Sequence, residues 1–134
     1  MQETTTLKLP IAVVALIFLQ AGSTANAEIT LAIKNSETLE VMPLYYHTGC
    51  KSLLTKPPSA EILDGPPQLS VSVKEKQVLA RAQQCAKPIS GGILQITAKD
   101  VTDLATSTVI VRIKYTTKDG DRFRSETLRV TMVP

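Results

Sequence analysis

The chain is poor in the residues that most often carry chemistry. Its 134 residues include one histidine, His47, and two cysteines, Cys50 and Cys85. Any histidine-dependent base or nucleophile partner must therefore be His47. His47 and Cys50 form a His-x-x-Cys fragment, but one His and two distant Cys make a poor site for any metal. There is no Cys-x-x-Cys, so a redox role has no motif to rest on. Tryptophan is absent, and aromatic residues make up only 4% of the chain. Neither sign of charge dominates, since 15 Lys and Arg against 12 Asp and Glu leave a net charge of +3. That mild excess gives no reason to expect nucleic acid. No apolar run reaches the ~20 residues that span a bilayer.

What is present begins with the first 27 residues. Lys8 precedes an apolar run, Leu9 to Leu19, interrupted only by Pro10. Small and polar residues follow, and then Ala25-Asn26-Ala27. A short basic region, an h-region and a small-x-small site make a secretory signal peptide cut after Ala27. Glu3 offsets Lys8, and the competing reading is an uncleaved N-terminal anchor. No Cys follows the cleavage site, which argues against a lipoprotein. The expected mature chain, residues 28–134, is one domain, exported to the periplasm or beyond the cell, with no transmembrane segment of its own.

In an oxidising compartment Cys50 and Cys85 are expected to form a disulfide. The loop it closes, about 36 residues, is worth roughly 4 kcal/mol on the chain-entropy model.

Strand signals recur along the mature chain. Ile29, Leu31 and Ile33 alternate with Thr30, Ala32 and Lys34, as in a half-buried strand. Leu39 to Tyr46 is strand-like, with Pro43 marking an edge or a kink. Residues 55–67, holding four prolines and a glycine, read as a loop. Leu69, Val71 and Val73 alternate again. Glu75 to Lys87 reads either as a helix stopped by Pro88 or as a continuing strand. Ser90-Gly91-Gly92 reads as a turn before the alternating Leu94, Ile96 and Ala98, and 99–107 as a polar connection.

The sharpest local signal is C-terminal. Val109, Val111, Ile113 and Tyr115 share one face, and Lys118-Asp119-Gly120 then offers a three-residue hairpin loop. That register pairs Tyr115 with Phe123, and needs a bulge near Glu126-Thr127 to bring Leu128, Val130 and Met132 onto the same face. The expected core face is Val109, Val111, Ile113, Tyr115, Phe123, Leu128, Val130 and Met132. The outer face would then gather Lys114, Arg122 and Arg124, with Arg112 relieved by Glu126.

Six or seven short strands with one disulfide predict an all-β fold, a small immunoglobulin-like β-sandwich with room for one short helix. The likeness is of architecture only, because the tryptophan that packs on the disulfide of true immunoglobulin domains is missing.

No motif supports catalysis. There is no Gly-x-Ser-x-Gly elbow and no His-Glu-x-x-His. The carboxylate pairs Asp100/Asp103 and Asp119/Asp121 fall where turns are expected. The expectation is a non-enzymatic binding or accessory module, without cofactor or metal, acting on a protein or an anionic envelope component and not on nucleic acid. Candidate contact residues are Lys114, Arg122 and Arg124 on the hairpin, and Tyr45 and Tyr46. Each has a plainer role available: edge protection for the cations, core packing for the tyrosines. The alternatives are a small secreted enzyme inhibitor, with the disulfide-braced loop 47–67 plugging a cleft, and a hydrolase using His47.

Overall fold

The computed structural model describes residues 28–134. The signal peptide read over residues 1–27 lies outside the described residues. The strands are β1 (Ile29–Lys34), β2 (Thr38–Leu44), β3 (His47–Thr48), β4 (Lys51–Ser52), β5 (Ser59–Asp64), β6 (Leu69–Val78), β7 (Ile89–Ala98), β8 (Ala105–Thr117) and β9 (Gly120–Val133). A larger sheet has the order β1-β9-β8-β5, and a smaller one β2-β7-β6. β3 and β4 form a separate two-rung ribbon. Among the described strands only β1 runs parallel to its neighbour, β9. No described helix is long and apolar enough to cross a membrane.

Alternation explains the sandwich. Inward side chains of the larger sheet, among them Ile33, Val109, Val111, Ile113, Leu128 and Val130, meet Leu44, Leu69, Leu94 and Ile96 of the smaller one in a single core. Fully burying each such side chain contributes about 1.5–3 kcal/mol. Ile29 and Leu31 pack on this core from β1 while remaining half-exposed.

The hairpin corrects the expected register. β8 and β9 pair without interruption from Thr117↔Gly120 to Ala105↔Met132, with no bulge. The chain reverses through Lys118 and Asp119 alone, while Gly120 opens β9 with φ 113°. This two-residue loop sets Tyr115 opposite Arg122 and Val109 opposite Leu128, so β9 is already in phase with the core. A three-residue loop would put β9 out of phase and require a bulge, and the two-residue loop requires none. Val109, Val111, Ile113, Tyr115, Leu128, Val130 and Met132 are buried as expected, but Phe123 is 56% exposed on the opposite face.

Other expectations change for local reasons. Residues 55–67 are not all loop: β5 forms between Pro57-Pro58 and Pro66-Pro67, where the prolines delimit an edge strand. Ser90-Gly91-Gly92 is not a turn but part of β7. A Cβ on Gly91 would lie 2.3 Å from the Leu44 carbonyl oxygen, and one on Gly92 would lie 2.6 Å from a Val73 methyl, so these glycines permit close strand approach. Of residues 75–87, the first four continue β6, and Arg81–Gln83 form one turn of 3₁₀ helix. The polar connection ends early, because β8 begins at Ala105. Pro43 does lie in an edge strand, whose register shifts between Glu40 and Met42.

The expected disulfide is formed, with Cys50 and Cys85 Cα atoms 5.5 Å apart, which accords with an oxidising compartment. It does not join the two sheets through the core. Val78 pairs with Ile89 at the end of the smaller sheet, and a second cluster of Val78, Ala80, Cys85, Ile89 and Ile93 forms there, with Tyr45 and Cys50 packed against it. The bond fastens the β3–β4 ribbon to the segment that follows β6.

Candidate ligand-binding cleft

The ribbon is built around a tight turn. Gly49 and Cys50 both take positive φ, 57° and 61°, between Thr48 and Lys51. Two successive positive φ values suit the twist of a two-residue hairpin. Glycine adopts them freely, whereas Cys50 does so under strain that its covalent tie holds in place. Next to the other end of the tie, Gln84 is also left-handed, with φ 59°.

Beyond the ribbon the chain is sewn to both sheets. Ser52 Oγ donates to the Ser90 carbonyl at 2.9 Å. Leu54 bridges to Thr117, and Thr55 N–H donates to the Thr116 carbonyl at 2.9 Å. Residues 51–55 thus run beside the β8–β9 turn and leave a cleft of about 470 Å³ between them. Tyr46, Leu53 and Leu54 supply its apolar surface, and Leu53 is 41% exposed. Lys51, Lys118 and Arg122 stand around it with one carboxylate, Asp119.

Behind Tyr46 lies Tyr115, their ring centroids 5.6 Å apart. Burial raises the Tyr115 phenol above its ordinary pKa of 10.0, opposed by the nearby charge of Arg124. Arg124 in turn pairs with Glu126 at 2.6 Å. The Glu126 side chain is only 13% exposed, so the pair ties a largely covered carboxylate to a guanidinium that is 57% exposed.

The expected contact residues therefore separate. Tyr46 and Arg122 meet in the cleft, whereas Arg124 does not line it and instead bears on Tyr115. Tyr45 turns away into the second cluster and donates its hydroxyl to Gln83 Oε1 at 3.1 Å. Lys114 lies on the outer face of the larger sheet, opposite Phe123, so the outer-face grouping of Lys114 with Arg122 and Arg124 does not exist. Arg112 is not relieved by Glu126. It pairs with Glu61 on β5 and lies over the Phe123 ring, 5.0 Å from its centroid. A second cleft, about 350 Å³, opens beside these groups, where Arg112 and Lys114 are matched by Glu61 and Asp121. That balance leaves it less selective for one sign of charge than the first cleft.

Lys51, Leu53 and Leu54 fall within the segment 47–67 that the inhibitor alternative invokes, but the sequence does not single them out. Their one signal is an apolar pair beside a cation outside any periodic segment. His47 lines neither cleft. Its ring lies 5.6 Å from Tyr45, and its Nδ1 is buried without a hydrogen-bond partner among the described residues. No described Ser or Asp orients that nitrogen, as a catalytic base would require. Among the described residues no three His, Cys, Asp or Glu side chains cluster as metal ligands would. Compared with protein-family models, with curated proteins and with solved structures, the chain matches none.

Proposed function

We propose that this is an exported, non-enzymatic binding or accessory module, and that it takes an anionic partner with an apolar portion at the cleft beside the β8–β9 turn. The observation that carries the reading is the composition of that cleft. An apolar wall of Tyr46, Leu53 and Leu54 is ringed by three cations and one carboxylate. Apolar contact supplies most of the affinity in such sites, while a few charged groups select the partner. A protein segment rich in acidic and apolar residues has this chemistry, and so does an anionic envelope lipid.

Export is supported by the leader-like first 27 residues and by the disulfide. The fold reading within the proposal is an immunoglobulin-like sandwich. The orders β2-β7-β6 and β5-β8-β9, with β1 beside β9, follow the strand grouping of that architecture. The disulfide differs, since it lies at the end of the smaller sheet and no tryptophan packs on it.

Two probes separate the sources of the anion: phosphatidylglycerol vesicles, and a soluble peptide alternating Glu and Leu. One of them should bind the exported protein and release it as salt rises. The variant Lys51→Gln/Lys118→Gln/Arg122→Gln should lose that binding while melting normally, and Lys114→Gln should retain it. Failure of both probes, or binding indifferent to the triple change, would overturn the cleft assignment. Mass measurement of the exported form tests export separately: it should begin at Glu28, and a full-length membrane form would favour the anchor.

A further inference from the structure

Four strands form the edges of the two sheets: β1 and β5 of the larger, β2 and β6 of the smaller. A free edge invites another strand, and proteins blunt edges with proline, bulges or charge. β5 is flanked by proline pairs and shifts register between Ile62 and Asp64. β2 carries Pro43 and a register shift. β6 presents the exposed run Lys74-Glu75-Lys76. β1 has none of these devices. It pairs with β9 in unbroken register over Ile29–Lys34, has no proline and carries no charge before Lys34. Among the described residues no strand pairs with its other side, where Glu37 takes the Lys34 N–H through its Oε1 at 2.9 Å and donates its own N–H to the Lys34 carbonyl.

The backbone of β1 shows which groups are open. Asn35 N–H donates to Val133 O, and Lys34 is the register partner of Val133. In a parallel pair this places the odd-numbered residues of β1 in bonds to β9. The N–H and C=O of Thr30 and Ala32 therefore point away from the sheet. On the inward face Ile29 and Leu31 are only half-buried, so a further strand would cover them.

The sequence of this edge is complementary to itself. Antiparallel pairing with a second copy must set odd residues against odd, or the apolar face is turned outward. Centred on Leu31, such a pairing sets Thr30 against Ala32 of the other copy, Ile29 against Ile33, and Glu28 against Lys34. Glu28 and Lys34 are both exposed, and both lie on the outward face. Centring on residue 30 or 32 instead loses the opposed charges. We infer that β1 is a homodimerisation edge, joining two copies of this chain through antiparallel β1–β1 pairing about Leu31 into one continuous eight-stranded sheet. The contact is isologous, so each charge pair occurs twice. It is independent of the ligand cleft.

Sedimentation velocity of the exported protein, in a dilution series reaching about 100 μM, should show a monomer–dimer equilibrium. Glu28→Lys and Lys34→Glu each set like charges opposite one another at both ends and should weaken the dimer about tenfold or more. The double exchange Glu28→Lys/Lys34→Glu should restore it. Thr30→Pro removes an N–H that the folded monomer leaves unused, and should abolish the dimer while leaving the melting temperature close to that of the parent. A monomer throughout the series would overturn the inference. So would a dimer that survives Thr30→Pro, and single charge changes that the double exchange does not rescue would overturn the Leu31-centred pairing.

Discussion

Tyr46 lies against Tyr115 at the end of the sandwich, ring centroids 5.6 Å apart and planes inclined by 31°. Through this contact the cleft rests on the core, because Tyr115 is buried while Tyr46 reaches the surface. Burial, the larger influence, favours the neutral Tyr115 phenol and outweighs the pull of Arg124. Folding therefore holds the Tyr115 proton more tightly than the unfolded chain does. The unfolded state binds fewer protons once pH passes about 10, so stability must fall with rising pH there. The contribution is complete below the unfolded value of 10.0 and is lost as pH climbs through the raised folded value. Denaturant melts of wild type and Tyr115→Phe above pH 10 should show the steeper decline in wild type. Equal slopes would refute the assignment.

The disulfide gives a second expectation. It restrains a loop with a sequence separation of 35 residues and holds Cys50 in a left-handed conformation. Replacing Cys50 and Cys85 together by Ser should cost about 2–5 kcal/mol in urea denaturation. Tyr45 packs beside the bond, so the loss should also disturb the ribbon and the cleft beyond it. Thiol labelling without reductant should fail in the native protein, and ready modification of both sites would contradict the pairing.

Gly91 and Gly49 should respond differently to alanine, for separable reasons. At Gly91 the new methyl would sit 2.3 Å from a backbone oxygen of β2, which cannot yield without moving the strand. Gly91→Ala should cost on the order of 3 kcal/mol or prevent folding. At Gly49 nothing lies within 4 Å, and only the positive φ is unfavourable. Gly49→Ala should cost about 1 kcal/mol. Thermal melts of the two variants would compare them directly, and equal losses would show that the strand approach at Gly91 is not as tight as described.

Much of the fold is legible in the sequence, because period-two alternation reports which side chains face inward. Ile29–Ile33, Leu69–Val73, Leu94–Ala98 and Val109–Tyr115 all keep the faces that their patterns imply. Alternation does not report where strands end or which residues oppose one another. Four prolines around Ser59–Asp64 conceal a strand, since proline marks turns and the borders of edge strands alike. Gly91 and Gly92 look like a turn because glycine also serves close strand approach, which only the neighbouring strands reveal. The cleft is legible in part. Tyr46 and Arg122 stand out as residue types, but only the tertiary path of residues 51–55 brings Leu53 and Lys51 to them.

Phe123 tests the register most directly. A three-residue loop would place it opposite Tyr115 in the core, whereas the two-residue loop sets it opposite Lys114, with Arg112 over its ring. A core phenylalanine replaced by alanine costs about 3–5 kcal/mol. Here the ring is 56% exposed, and the loss is limited to a partial apolar contact and an exposed cation–π contact worth about 0.5–1 kcal/mol. Phe123→Ala should therefore destabilise by no more than about 1.5 kcal/mol. Leu128→Ala, at a fully buried position on the same strand, should cost about 2–5 kcal/mol. Urea denaturation of both variants decides the matter. If Phe123→Ala proved as costly as Leu128→Ala, the uninterrupted pairing from Thr117↔Gly120 onward would be wrong, and Arg122 and Arg124 would move to the outer face beside Lys114, away from the cleft.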